Sequence, residues 1–488
     1  MKPAHLLIGI AGSAILIVGA IAIQHKRSYD QDGREITKLI AEYKALGVPT
    51  NGSELFHPIP DGENAWTEVG PILLTKRGIG TGMAFKSSSA LELLLACGKN
   101  DLPLIKQYLA ENKDKRDEIE AALKAKPGLQ VPHNYNEGYM MLVPEFAAIR
   151  PLTREYCLAA YAAGLDGNMP EVRRNLGLAN RFATLCTERP EIISGMIGAN
   201  IRKIMMQTAY RIIEVDPSMT SELKTIMTAP EMSTYSDPKK TLTCEFVGQL
   251  ELARYFDAPE MDRPTPPAFL KNFINTMEEN DVAKLGKVRE GDYIPDSSSM
   301  RKFLRNRLES WKPFMTELAK SGLPSFTAYS HANDMTSSIP QKLVFMVQGS
   351  DNQDSLIYRG LWMAQQYVEM NRVIFKSLEA KAATGSYPKS LESTGIKITS
   401  TVPADIFVFT ANSTGISIWL KPDPKNADNS LSSLSFPTSL TIRPQTARQN
   451  SDKVKDYRSG KVNVEGSTIK IKPTGSFAIP LGAPPRAP

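Results

Sequence analysis

The hydrophobic pattern of the chain is dominated by helical spacing. Between about Val143 and Val215 it predicts three long helices, with Asp166-Gly167-Asn168 between the first two and Pro190 at the opening of the third. In the third, Ile193, Ile197, Ile201, Ile204, Thr208 and Ile212 recur at steps of four and three, which makes one apolar face. Asp216-Pro217 closes it. A second periodic run, Ile357, Leu361, Ala364, Val368, Asn371, Phe375 and Leu378, predicts a long helix packed on a partner, with Asn371 as a polar residue at the edge of that face. Earlier helices are expected from Asp30 to about Leu46, over Glu63–Lys76, from the Ser87-Ser88-Ser89 cap to Ala96, and over Leu102–Asn112 and Lys113–Ala125. Later ones are expected through 218–290 and over Ser297–Lys320.

After Gly385 the period changes. Ile396–Thr399, Ile406–Thr410 and Ile416–Leu420 are short and rich in β-branched or aromatic residues. Asn412-Ser413-Thr414-Gly415 supplies a hairpin turn between the last two, and Lys461–Lys472 alternates as a further strand. The predicted fold class is mainly α: a multi-helix bundle, a small C-terminal α+β unit and an N-terminal transmembrane helix. The predicted divisions are 1–29 as a signal-anchor, 30–352 as a helical domain, 353–475 as a long helix with a small sheet, and 476–488 as a disordered Pro-rich tail.

One stretch breaks the amphipathic rule. Leu6–Ile23 is eighteen residues long, and Ser13 is its only clearly polar side chain. That approaches the ~20 apolar residues that cross a bilayer core as a helix. Ala20-Ile21-Ala22 has the small-x-small form of a signal-peptidase site, so a cleaved export signal is the alternative. The apolar run continues past Ala22 to Ile23, which favours the uncleaved anchor. Lys26, Arg27, Arg34 and Lys38 follow the span, and positive-inside logic by itself would keep the body in the cytoplasm. A very short flank before an apolar run behaves as an export signal, and an extracytoplasmic body is the expectation adopted.

Net charge adds little until it is located. The chain of 488 residues carries 58 Lys/Arg and 52 Asp/Glu, a formal net charge of +6. The whole excess falls in Lys421–Pro488, so the rest of the chain is neutral, and a dedicated nucleic-acid protein is excluded for want of a basic face. The tail could attract anionic lipid or cell-wall polymer, though a solvated extension is the simpler reading.

Local motifs give no chemistry. The five histidines, His5, His25, His57, His133 and His331, have no metal-ligand spacing. Cys97, Cys157, Cys186 and Cys244 contain no CxxC pair and are read as buried structural thiols. Gly78-x-Gly80-x-Gly82 lacks the flanks of a phosphate loop. Ser299-x-x-Lys302, Lys320-Ser321-Gly322 and Ser350-Asp351-Asn352 occur in the wrong order for a penicillin-interacting serine enzyme. Asp30-x-Asp32-Gly33 lacks the terminal ligand of a calcium loop, since Leu39 stands there, and Asp423–Asn429 reads as a solvated loop, with adventitious calcium binding as the alternative. Arg301, Lys302, Arg305 and Arg307 read as a solvated basic face, with contact to an anionic surface as the alternative. Trp66, Trp311, Trp362 and Trp419 read as core anchors. No catalytic, cofactor-binding or metal residue is assigned.

Three segments together carry a resemblance: Ala45-Leu46-Gly47-Val48-Pro49, Ile59-Pro60-Asp61-Gly62-Glu63-Asn64-Ala65-Trp66 and Gly385-Ser386-Tyr387-Pro388-Lys389-Ser390-Leu391. In these the chain resembles uncharacterised, singly anchored envelope proteins of planctomycete-like bacteria. The resemblance implies an anchor, an exported helical body and no known activity. Residues 156–182 are similar to one degenerate tetratricopeptide-type hairpin, with Ala160 and Ala163 facing Val172, Leu176 and Ala179. The helix to Ala383, the Gly-x-Tyr-Pro-x-Ser-Leu turn and the strands resemble the C-terminal part of type II pseudopilins. The expected function is a membrane-anchored extracytoplasmic protein, held at the membrane through Leu6–Ile23, with a structural or protein-binding role and no enzymatic activity. An envelope hydrolase with a site assembled from distant residues, and a secretion or pilus-like accessory protein, are the alternatives.

Overall fold

A computed structural model of the chain describes residues 24, 26–74, 89–141, 143–232, 236–257, 297–321, 369–397, 407–412, 415–420 and 439–442. In chain order the helices are α1 (26–45), α2 (Trp66–Leu73), α3 (Ser89–Ala96), α4 (Leu102–Ala110), α5 (Lys113–Ala125), α6 (Glu145–Leu165), α7 (Met169–Glu188), α8 (Ile192–Val215), α9 (Thr220–Met227), α10 (Pro238–Asp257), α11 (Ser297–Ser321) and α12 (369–384). The strands are β1 (Phe407–Asn412), β2 (Gly415–Leu420) and β3 (Ser439–Ile442). Among the described residues the chain is mainly helical with a small sheet. No helix among them is long and apolar enough to cross a membrane. Leu6–Ile23 lies outside the described residues, as do Gly78–Gly82, Trp362, Asp423–Asn429 and Lys461–Lys472.

The chain divides into two compact units, each discontinuous in sequence. The first comprises Met1–His57, Pro132–Leu142 and Pro238–Ser355. The second comprises Pro58–Val131, Val143–Asp237 and Leu356–Pro488.

In the first unit α10 and α11 pack together and α1 lies along α11. An aromatic ladder fixes the three. Tyr43 of α1 meets Phe246 of α10 at 4.8 Å between ring centroids, Phe246 stacks on Trp311 of α11 at 5.5 Å, and Trp311 meets Phe314 edge-on at 5.6 Å. The Tyr43 hydroxyl donates to the Leu308 carbonyl at 2.6 Å, so the buried phenol keeps a partner.

Two expectations fail here. Helix α1 is already under way at residue 26, so Asp30 does not cap it. The basic start of α11 is not a solvated face. Arg307 is buried, donates to Gln249 Oε1 and lies 5.2 Å from the Trp311 ring, Arg305 is bound to Asp32, and Arg301 stacks on Tyr29. Of the four cations only Lys302 is exposed. Parallel packing of α1 supplies the ring for Arg301 and the acids for Arg305, while α10 supplies the Gln249 acceptor for Arg307.

The second unit is built on α6, α7 and α8, which run down, up and down. Gly167 turns the first corner at φ +74°, a conformation that carries strain for a residue with a Cβ. Asn168 then caps α7 by accepting from Glu171 N at 3.2 Å. Ala160, Ala163, Val172, Leu176 and Ala179 are all buried, and α6 and α7 pack against each other. Helices α7 and α8 approach closely at Gly198, where a Cβ would fall 2.5 Å from Thr187 Cγ2 and 2.9 Å from the Ala183 carbonyl oxygen.

Ile197, Ile201, Ile204, Thr208 and Ile212 of α8 are buried as their spacing predicts. Ile193 is 48% exposed, and Ile192 is buried in its place. The helix begins only at Ile192, so Ile193 falls in its first turn. Asn371 of α12 is also a correction. It is buried, 3% exposed, and accepts a 2.8 Å hydrogen bond from the Tyr210 hydroxyl. A polar residue can occupy the core face because α8 presents a matching donor.

Beyond α12, β1 and β2 form the expected hairpin, with Asn412 opposite Gly415. Ile416 and Ile418 point into the same core as Met370, Val373, Ile374 and Phe375. The strand expected at Ile396–Thr399 is irregular at 396 and 397, its only described residues. The third strand is instead β3, with Ile416 opposite Ile442. Four residues, Ser-Leu-Thr-Ile, in a Ser/Pro-rich stretch are too short for a period-2 signal.

Candidate functional site

Charged residues inside the second unit cluster on and around α8. At its start the α7–α8 connector places Arg189 in the core, 3% exposed, with its face 4.7 Å from the Phe146 ring centroid. Its guanidinium donates to Glu145 at the start of α6 and to Glu191 at the head of α8. Ser194 Oγ donates to Glu191 Oε2 at 2.6 Å. Burial alone would push the Glu191 carboxyl up. The hydrogen bonds and charge of Arg189, with Ser194, outweigh burial and hold it below the ordinary carboxylate range. The result is an ion-paired knot in which Arg189 binds both carboxylates and Glu191 is held in its charged form.

Further along α8, Arg202 donates to Asn180 Oδ1 at 3.2 Å and to Thr184 Oγ1 at 3.2 Å. Arg211 donates to the carbonyls of Leu94 at 3.3 Å and Cys97 at 2.7 Å, to the Tyr161 hydroxyl at 3.2 Å and to Glu214 Oε2 at 3.1 Å. These guanidiniums bind protein oxygens and tie α8 to α7, α6 and the α3 terminus. They are internal cross-links with their donors already occupied.

Lys203 is different. It is half-buried, no ion pair holds it among the described residues, and burial alone lowers its amine to about 8. One turn on, Gln207 Oε1 is buried with no hydrogen-bond partner among the described residues. An amine titrating near neutrality is a candidate nucleophile or base in general. Chemistry also needs a partner to move the proton or hold a developing charge, and no titratable group contributes to the Lys203 shift.

A folded pKa below the unfolded value means that protonation opposes folding. Wild type is therefore penalised at pH 7, and the penalty fades as pH rises through about 8 towards the unfolded lysine range. Lys203→Met is expected to raise stability at pH 7 by about 1–2 kcal/mol, within the usual range for removing a buried, unpaired charge, with the gain vanishing near pH 10. Urea denaturation of both proteins across this range checks it.

The remaining nucleophile candidates are muted. Cys157 and Cys186 are buried thiols, both pushed up to about 12 by burial. The thiol, not the thiolate, is the form present at neutral pH. In the native protein at pH 8 iodoacetamide should leave both unmodified, and both should react within minutes in urea; peptide mass spectrometry reads the outcome. Cys97 is also buried and Cys244 is half-buried, so three of the four meet the expectation of buried thiols.

The sequence motifs do not converge. His133 lies beside Tyr135, with 6.3 Å between ring centroids, and no group of His, Cys, Asp or Glu suited to a metal ion occurs among the described residues. Asp32 is helical and bound to Arg305. Lys302 lies within α11, while Ser350-Asp351-Asn352 falls outside the described residues. Trp66 and Trp311 are buried as expected. Sequence reading missed Arg189, Arg202, Lys203 and Arg211. The available signal was the presence of cations in an otherwise apolar helix, together with the charged connector Glu188-Arg189-Pro190-Glu191.

No protein-family profile, no curated protein and no solved structure matches the chain.

Proposed function

We propose that this chain is a membrane-anchored extracytoplasmic protein with a structural or protein-binding role. The observation that carries the reading is the apolar run Leu6–Ile23, broken only by Ser13. Two features of the body support the second half. Its buried cations Arg189, Arg202 and Arg211 cross-link helices, and its buried thiols Cys157 and Cys186 are held protonated. Packed helices offer grooves suited to peptide capture. The resemblance to singly anchored planctomycete-like envelope proteins points the same way.

The test is fractionation of cells making the full-length chain. After alkaline carbonate washing the protein should stay in the membrane pellet, and Ile15→Arg with Val18→Arg should release it. Protease added to intact spheroplasts should digest the body. Recovery of the full-length chain only among soluble cytosolic proteins overturns the anchor, and protection from external protease overturns the orientation.

A second reading, a secretion accessory, is favoured by the order of α12, the turn at Gly385 and the antiparallel pair β1–β2 later in the chain. It predicts co-purification with pilin-like proteins.

A further inference from the structure

The pairing of α1 with α11 has a fixed direction. Arg301 stacks 3.5 Å from the Tyr29 ring centroid, Arg305 bonds Asp32 and lies 3.3 Å from Glu35, and Tyr43 donates to the Leu308 carbonyl at 2.6 Å. Lys312 then lies 2.8 Å from Glu42. Numbers rise together on both helices, so they run parallel and their N-terminal turns lie side by side. Arg301, near the start of α11, is thereby level with Tyr29, although about 270 residues separate them in the chain.

That end of the pair is basic and is the end next to the apolar run. Lys26, Arg27 and Lys302 are exposed, and no ion pair holds them among the described residues. The nearby acids Asp32 and Glu35 are bound to Arg305, which leaves Asp30 as the exposed acid there among the described residues. Tyr29 is three residues, about 4.5 Å of helical rise, beyond Lys26. Lys302 follows Arg301 by one residue, so it lies within about a Debye length (~10 Å at 0.1 M salt) of the level of Lys26.

We propose that Lys26, Arg27 and Lys302 form a cationic collar, contributed by two helices, that docks on anionic phospholipid headgroups where the chain leaves the bilayer. This rests on the anchor reading of Leu6–Ile23. Long cationic side chains reach phosphate from such a position, and each cation near an anionic surface strengthens the attraction about fivefold. The collar fixes the tilt of the α1–α11 pair on the membrane, because its cations lie on two helices and not one.

Full-length protein reconstituted into vesicles of equal phosphatidylglycerol and phosphatidylcholine, with either lipid spin-labelled, tests this. The relative association of the two lipids with the protein is read from the motionally restricted signal. Phosphatidylglycerol should be preferred at 0.1 M salt and the preference should vanish at 1 M. Lys302→Gln should weaken it about fivefold, and Lys26→Gln with Arg27→Gln more. Lys38→Gln should leave it unchanged. Lys38 is on the same helix but twelve residues, about 18 Å, beyond Lys26. All four positions are exposed, and circular dichroism confirms that each variant is folded.

A restricted lipid signal without preference for phosphatidylglycerol overturns the collar and leaves the anchor standing. So does an equal effect of Lys302→Gln and Lys38→Gln. Absence of any restricted lipid overturns both.

Discussion

Arg189→Met should lower the stability of the second unit by about 3–5 kcal/mol, the cost of leaving buried charge without its counter-ion. Arg189 donates to both Glu145 and Glu191, which are 1% and 8% exposed. Methionine fills much of the same volume, so the loss is electrostatic and not a cavity. With Arg189 gone, two carboxylates face each other in a low-dielectric core. A second change, Glu145→Gln, should then recover part of the loss, and a double-mutant cycle measures the coupling.

The pH dependence has a definite sign. Glu191 is held below its ordinary value in the folded protein, so its contribution is present above the unfolded carboxylate range and disappears as pH falls through the folded value. The gap between wild type and Arg189→Met should therefore be widest near neutrality and narrow in acid. Urea melts at pH 7 and pH 4 read both effects. An unchanged midpoint at pH 7 would mean that the knot contributes nothing net.

Trp311→Ala should cost about 3–5 kcal/mol in the first unit. Trp311 is fully buried, stacked on Phe246, edge-on to Phe314 and beneath Arg307. Truncation removes the middle of the ladder that links α10 to α11. Through Phe246 it also loosens the seat of Tyr43, and with it the grip on α1. Trp311→Phe keeps a ring in place and should lose less than half as much. Hydrogen exchange in 238–257 and 297–321 should rise with the alanine change and stay close to wild type with phenylalanine. Equal protection in all three proteins would show that the ladder does not hold these helices together.

The legible part of this fold follows from local rules. The bounds of α5 match the expected Lys113–Ala125 in full, and the α6–α7 and α7–α8 breaks fall at Asp166–Asn168 and beside Pro190. Asn412 at the end of β1 pairs with Gly415 at the start of β2, the two ends of the expected turn. In each case the signal sits within a few residues: a helical period, a proline, a glycine with positive φ, or a β-branched run beside a turn. The candidate site was far less legible. Arg202 and Lys203 are adjacent cations on one helix, yet Arg202 is cross-linked to α7 while Lys203 is desolvated without an ion pair. A difference of about 100° around the helix axis separates the two outcomes.

The sequence by itself determined the helical class, most element boundaries in α4–α8, the hairpin, and the apolar run Leu6–Ile23, because each depends on neighbours no more than a turn or two away. Only the tertiary structure decided that Asn371 faces a tyrosine and not solvent, and that Arg189 draws two glutamates into the core. It also decided that the head of α11 joins the cations that follow the apolar run. Those outcomes depend on which side chains meet across 44, 161 and 273 residues of chain. Burial and pairing at such separations are set by packing, and no local spacing encodes them.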